Sequence, residues 1–287
     1  MSRLLRRKPK ALAYEQRLTL FVDFLGFREH VQRTVNFPEH LQRLVSAMDR
    51  VGEISRDDKD FHKSQRVTQF SDCIVVSYRI EEESAVFWLL NEIAFCVIDL
   101  VERGFLLRGA LTVGDLLHTK KHVVGPALVE AYETESRLAK FPRILIDEKV
   151  LEVARASRNE DHTEEQEEHY VRAFMTKDTD ERHYFDYISW DSVVANVGGD
   201  NDGYPAYLQT LGNMIGTGLA QPDPKVAEKY LWLHRQYLAA IEAIKQLPPD
   251  HPYRNQSPEV CDDIESLPQM NELAADVQQK LRKAQQT

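Results

Sequence analysis

The sequence predicts an α+β fold: a ferredoxin-like antiparallel sheet with helices packed on it, followed by a C-terminal helical extension. Three observations predict it. Strand-forming runs such as Leu18-Thr-Leu-Phe-Val-Asp23 and Cys73-Ile-Val-Val-Ser-Tyr78 alternate with helix-forming stretches in the order β-α-α-β-β-α-β, with a further αβ. The 287 residues are 43% hydrophobic, enough for one sizeable core plus a smaller helical appendage. Beyond the sheet-forming part, Lys225 to Gln246 carries Tyr230, Trp232, Leu233, Tyr237 and Ile241 at helical spacing.

The elements follow in order. Residues 1–16, basic in Met1 to Lys10, lack the apolar stretch of a secretory signal and read as a flexible arm. A strand at Leu18–Asp23 passes through the turn Leu25-Gly26-Phe27 into a helix before Pro38. A second helix covers Glu39 to Val51, and polar Ser55 to Lys63 connects. Arg66–Phe70 and Cys73–Tyr78 form a hairpin with Asp72 at or beside its turn. Glu83 to Arg103 is a helix stopped by Arg103-Gly104. Asn91, Glu92 and Asp99 interrupt its apolar window, which argues against a membrane span and for a deeply packed or interface helix.

Phe105–Val113 is a strand, Leu116–His118 another, Pro126 to Lys140 a helix and Arg143–Ile146 a strand. The helix Glu148–Ala156 precedes an acidic run, Ser157 to His169, that reads as a solvated loop before the strand His183–Ile188. Gly198-Gly-Asp-Asn-Asp-Gly203 lacks the spacing and closing glutamate of a calcium loop and reads as turns. Residues 191–247 form a helical extension packed on the core, and the aromatic stripe of 225–246 docks on that core or on a second subunit. Residues 248–287 are a linker, up to Pro258, and a tail helix from Met270 to Gln285.

Asp23 sits inside the apolar run Leu20-Phe-Val-Asp-Phe-Leu25, and Asp72 is answered by Cys73-Ile-Val-Val76. A buried charge is costly unless a cation or donors compensate it, and the topology puts the two aspartates on neighbouring strands. They read as a pair of ligands for Mg2+ or Mn2+, which take oxygen donors and leave room for substrate phosphates. The turn Phe24-Leu25-Gly26-Phe27 adds backbone N–H groups at a helix start, suited to a polyphosphate. No Gly-x-x-x-x-Gly-Lys-Ser/Thr or Gly-x-Gly-x-x-Gly stretch occurs, so P-loop and dinucleotide chemistries drop out.

A net charge of -10 and a pI near 5.5 disfavour a nucleic-acid surface and leave a metal-held anion as ligand. For the same reason a polymerase-like or nuclease-like enzyme ranks low. Cys73, Cys96 and Cys261 form neither a disulfide framework nor a zinc knuckle, and a reducing cytoplasm is expected.

Phe21-Val-Asp23-Phe-Leu-Gly26-Phe27, Phe70-Ser-Asp72, Leu107-Arg108-Gly109-Ala110 with Gly114, and Val124-Gly125-Pro126 occur in the order found in class III nucleotide cyclase catalytic domains, which the chain resembles over roughly Leu18 to Ile188, implying a catalytic domain at residues 17–190. The resemblance implies conversion of a nucleoside triphosphate to its 3',5'-cyclic monophosphate and pyrophosphate. It also implies two Mg2+ or Mn2+ ions per site held by Asp23 and Asp72, and a homodimer with active sites between subunits.

The Asn-x-x-x-Arg pair of adenylate and guanylate cyclases is absent after Gly125-Pro126, and no purine-selecting lysine stands in Val67-Thr-Gln-Phe-Ser-Asp72. The chain is most similar to the pyrimidine cyclases of bacterial Pycsar antiphage defence, through Phe-Ser-Asp72, Arg108-Gly-Ala, Ala131-Tyr132-x-x-Glu135, Pro142-Arg-Ile144 and Glu228-Lys-Tyr-x-Trp-Leu233. That likeness implies UTP or CTP as substrate, UTP favoured, and a separate effector protein that responds to the cyclic nucleotide. The alternative of another class is a catalytically inactive cyclase-like nucleotide-binding or dimerisation module.

Three further expectations concern side chains. Arg108 is either a surface arginine or a phosphate or structural contact. Tyr132 and Glu135, at i and i+3, either contact base or ribose or brace their helix. Arg137, Lys140 and Arg143 are candidates for the missing transition-state cation and are otherwise ordinary surface charges.

Overall fold

The first strand takes the centre of the sheet because both of its faces are apolar enough to be covered. In the computed structural model, which describes residues 12–54 and 63–285, β1 (Glu15–Phe24) is buried on both sides from Arg17 to Val22. It leads into α1 (Phe27–Thr34) and α2 (Pro38–Gly52), then β2 (Arg66–Phe70), β3 (Cys73–Arg79), α3 (Ala85–Glu102) and β4 (Leu107–His118). After these come β5 (Val123–Val124), α4 (Pro126–Arg137), β6 (Ile144–Ile146), α5 (Lys149–Ala156), α6 (Glu164–Arg172), β7 (Met175–Lys177) and β8 (His183–Phe185). A π-helical turn (Asp191–Asn196) opens the C-terminal helices α7 (Tyr204–Leu219), α8 (Pro224–Lys245), α9 (Pro252–Gln256), α10 (Pro258–Ser266) and α11 (Asn271–Gln285).

The sheet order is β2-β3-β1-β4-β6-β8-β7, with β5 beside the end of β4. The fold is α+β as expected, and β2, β3, β1 and β4 are antiparallel neighbours. Beyond them the sheet is mixed rather than purely antiparallel, because β6 runs parallel to β4. The chain between those two strands returns through α4, and such a crossover leaves both pointing the same way.

Alternation along β1 divides the molecule into two layers. Leu18, Leu20, Val22 and Phe24 join the main core with Leu44 of α2, Leu89 of α3, Leu211 of α7 and Trp232 of α8. The other face carries Phe21, which packs with Val75 of β3 and Ala131 of α4 in a small separate cluster. Close approach of β4 to β1 needs Gly109: a Cβ there would lie 2.4 Å from the Phe21 carbonyl oxygen.

Several expectations change. β4 is one continuous strand, so Leu116–His118 is its end and not a separate element. α4 stops at Arg137, short of Lys140. The acidic run is largely helical: Thr163 and Gln166 form a capping box, and Glu164, Glu165 and Glu167 occupy the first turn, where negative charge suits the helix dipole. Residues 248–258 contain α9, and α10 precedes the expected tail helix, which is present as α11.

The aromatic stripe of α8 docks within the chain. Trp232 stacks on Phe141 with centroids 5.8 Å apart, and its Nε1–H donates to Asp178 Oδ2 at 2.6 Å. Glu15 and Gln16, expected in the arm, belong to β1, while residues 1–11 and most of the Ser55 to Lys63 connector lie outside the described residues. Among the described residues no helix is long and apolar enough to cross a membrane.

Candidate metal and nucleotide site

Strand register gathers the site. Asp23 is the partner of Cys73 on β3 and of Arg108 on β4, so the three residues form one row across the sheet. The β2–β3 hairpin closes through Ser71 and Asp72, with Phe70 opposite Cys73 and Ser71 at φ 55, the left-handed region that tight hairpin turns use. This turn holds Asp72 at the strand ends beside Asp23. A carboxylate oxygen from each aspartate and the Cys73 sulfur all lie within 4.8 Å of one another.

Asp23 is 13% exposed. Its Oδ2 accepts from Arg108 Nη2 at 2.8 Å and Nε at 3.2 Å, while Oδ1 is buried without a hydrogen-bond partner. Arg108 Nε also lies 2.8 Å from Glu135 Oε1, and Glu135, 3% exposed, accepts from the Ser136 hydroxyl at 2.9 Å. One guanidinium therefore bridges two carboxylates from different elements, β1 and α4. No basic side chain pairs with Asp72 among the described residues.

Burial pushes the Asp23 carboxyl up to about 6, opposed by the bonds from Arg108 and reinforced by the neighbouring Asp72 carboxylate. Burial, with help from the Asp23 and Asp72 charges, likewise pushes the Cys73 thiol up to about 12. Both shifts report a surplus of negative charge in a desolvated corner. A divalent cation would relieve it, and the orphaned Asp23 oxygen and the carboxylate pair are donors of the type Mg2+ and Mn2+ take.

The structure places the other expected residues unevenly. Gly26, at φ 72, heads α1, whose first amides have no intrahelical acceptor. Phe24 and Leu25 are buried side chains, Phe24 edge-on to Phe105 at 6.0 Å. The Leu25 amide already donates to the Leu106 carbonyl at 2.8 Å, so it is not a free donor for an anion. Phe27 packs against the core beside Phe24, rings 6.5 Å apart.

Tyr132 is 54% exposed and meets Phe21 edge-on at 5.7 Å, while Glu135, one turn on, is drawn inward by Arg108. Arg137 pairs with Glu133 at 3.5 Å and is exposed. Arg143 is only 1% exposed and is bound by Asp178 and Asp180, which removes it as a transition-state cation. Its guanidinium also lies 5.2 Å from the centroid of Phe141, the ring that stacks on Trp232 of α8. Cys73 is the site residue that sequence reasoning passed over; its signal was its place directly after Asp72 in the hairpin, and the β1–β3 register sets it opposite Asp23.

No protein-family model matches the chain, and no curated protein matches it. Among solved structures it is similar to a bacterial light-regulated adenylyl cyclase, at 12% identity and TM-score 0.38, over 50% of this chain and 46% of that one. It is also similar to the adenylyl cyclase CyaB from P. aeruginosa, at 12% identity and TM-score 0.40, over 51% of this chain and 84% of that one. A class III adenylyl cyclase-like ATP-binding protein from Pseudomonas aeruginosa is similar at 13% identity and TM-score 0.37, over 61% of this chain and 39% of that one. The aligned part thus spans less than half the length of the first and third of these proteins.

Proposed function

We propose that this protein is a pyrimidine nucleotide cyclase that converts UTP or CTP, UTP favoured, to the 3',5'-cyclic monophosphate and pyrophosphate. One observation carries the reading: Asp23 and Asp72 bring carboxylate oxygens together at the strand ends, one of the Asp23 oxygens being buried with no hydrogen-bond partner. Asp23 and Asp72 would hold two Mg2+ or Mn2+ ions, which when bound lower the effective pKa of the ribose 3'-hydroxyl and neutralise charge on the departing pyrophosphate.

The chain's own residues have separate tasks. Arg108 fixes the orientation of Asp23 and keeps Glu135 paired, so that the carboxylates are aligned before substrate arrives. The Gly26-Phe27 start of α1 offers amides to the phosphates. The pyrimidine assignment rests on the missing Asn-x-x-x-Arg pair and the missing lysine before Asp72.

A homodimer with active sites at the subunit interface is part of the proposal. It is supported by exposed apolar side chains on and around α4, Val124 of β5, Val129, Tyr132 and Leu138, which are 37–57% exposed. The product would act in the cytoplasm on a separate effector in antiviral defence.

A second reading, an inactive nucleotide-binding or dimerisation module, is favoured by one feature: Arg108 already occupies Asp23 Oδ2. One assay separates them. Purified protein incubated with each ribonucleoside triphosphate and Mn2+ is expected to yield a cyclic product, identified by mass, from UTP or CTP. Asp72→Ala is expected to lose turnover by several orders of magnitude while remaining folded. No product from any of the four would establish the inactive module.

A further inference from the structure

We infer that the Cys73 thiol is a third donor of this site, which makes it selective for a thiophilic divalent cation, Zn2+ or Cd2+, over Mg2+. The inference rests on the two-carboxylate metal reading and adds to it a ligand of different chemistry.

Geometry supplies the first argument. Cys73 and Asp23 are direct cross-strand partners, so their side chains emerge on the same face of the sheet. With Asp72 they place one sulfur and two oxygens within 4.8 Å of one another. A tetrahedral ion bonded to sulfur at about 2.3 Å and to oxygen at about 2.1 Å sets its donors about 3.4–3.6 Å apart. Donors at the 4.8 Å bound would close by about 1.2 Å on an ion, a movement that side-chain rotation supplies. Asp23 Oδ1, buried and without a hydrogen-bond partner, is available to such an ion.

Donor chemistry supplies the second. Two carboxylates alone suit Mg2+ and Mn2+, whereas a thiolate in the set moves preference toward Zn2+ and its heavier congener. When the metal–sulfur bond forms, the Sγ–H bond breaks and the proton passes to solvent, so binding is coupled to release of one proton. Arg108 stands on β4, across β1 from Cys73, and its bonds to Asp23 go to Oδ2, which leaves Oδ1 unpaired. Cys96 of α3 and Cys261 of α10 are fully buried in the main core and do not compete. In the proposed enzyme, Zn2+ would occupy the catalytic site as an inhibitor that Mn2+ must displace.

The test uses the full-length protein, stripped with a chelator and titrated with Cd2+, whose thiolate complex shows a sulfur-to-metal charge-transfer band in the ultraviolet. The expected result is a band that saturates with one Cd2+, is absent in Cys73→Ser, and is displaced by excess Mn2+. Cd2+ affinity should weaken at least about tenfold in Cys73→Ser, with Mn2+ affinity, read by electron paramagnetic resonance, changed less than about threefold. Cys73→Ala serves as a second variant should the serine variant fail to fold. Cd2+ binding without the band, or a band that survives both substitutions, would overturn the role of Cys73 alone. Absence of both Mn2+ and Cd2+ binding in the wild-type protein would overturn the metal reading together with it.

Discussion

Asp23 should make the metal-free protein lose stability as pH rises through the acid range. Its carboxyl, ordinarily 3.8, titrates near 6 in the folded state because burial disfavours the charged form more than Arg108 favours it. The folded protein therefore holds this proton more tightly than the unfolded chain. The resulting stability is fully present below about pH 4 and lost as pH rises through about 6. About two pH units at 1.36 kcal/mol each give a loss on the order of 3 kcal/mol, of which about 2 kcal/mol falls between pH 4.5 and 7.5.

Asp23→Asn removes the titration and leaves a constant offset from the altered contact with Arg108. Urea unfolding of both proteins in chelator at pH 4.5, 6 and 7.5 isolates the effect, because other carboxylates cancel in the difference. Wild type is expected to weaken relative to the variant by about 2 kcal/mol across that range. Saturating Mn2+ at pH 7.5 should restore the wild type and leave the variant unchanged. A wild-type-minus-variant difference that stays flat with pH would refute the account of Asp23 as a desolvated carboxylate awaiting a cation.

Two further outcomes follow from the ion pairs. Arg108→Ala leaves Asp23 and Glu135 buried without their shared cation, so stability at pH 7.5 should fall by about 3 kcal/mol and partly recover at pH 5, measured by thermal or urea unfolding. Arg108→Lys should rescue only part of this, since an ammonium does not reproduce the planar fork that reaches both carboxylates. Arg143→Ala should cost about 3–5 kcal/mol, because Asp178 stays buried without its cation, held by the neutral donors Trp232 Nε1–H and the Thr179 amide and hydroxyl. Turnover per folded molecule should be unchanged in Arg143→Ala, since this side chain is bound by Asp178 and Asp180 and not by Asp23.

Legibility differed between the two aspartates and their surroundings. A carboxylate in the run Leu20-Phe-Val-Asp-Phe-Leu25 conflicts with burial, so Asp23 stood out from composition alone. Asp72 stood out because strand formers flank it on both sides. Arg108 did not, since an arginine on a strand is equally a surface residue, and only the β1–β4 register sets it opposite Asp23. Glu135 was visible as part of a helix face, but its burial under Arg108 depends on how α4 lies on the sheet. Helix α6 was missed because its acidic composition masked a capping signature, Thr163 with Gln166.

The sequence by itself determined the α+β class, the antiparallel core of the sheet and the two acidic anchors, because periodicity and buried charge are local properties of the chain. Tertiary structure decided that β6 runs parallel to β4, that Arg143 is bound by Asp178 and Asp180 and withdrawn from chemistry, and that Cys73, Asp23 and Arg108 stand in one row. Those outcomes depend on strand register and helix crossing, where residues far apart in sequence meet, and a one-residue slip would send each side chain to the opposite face.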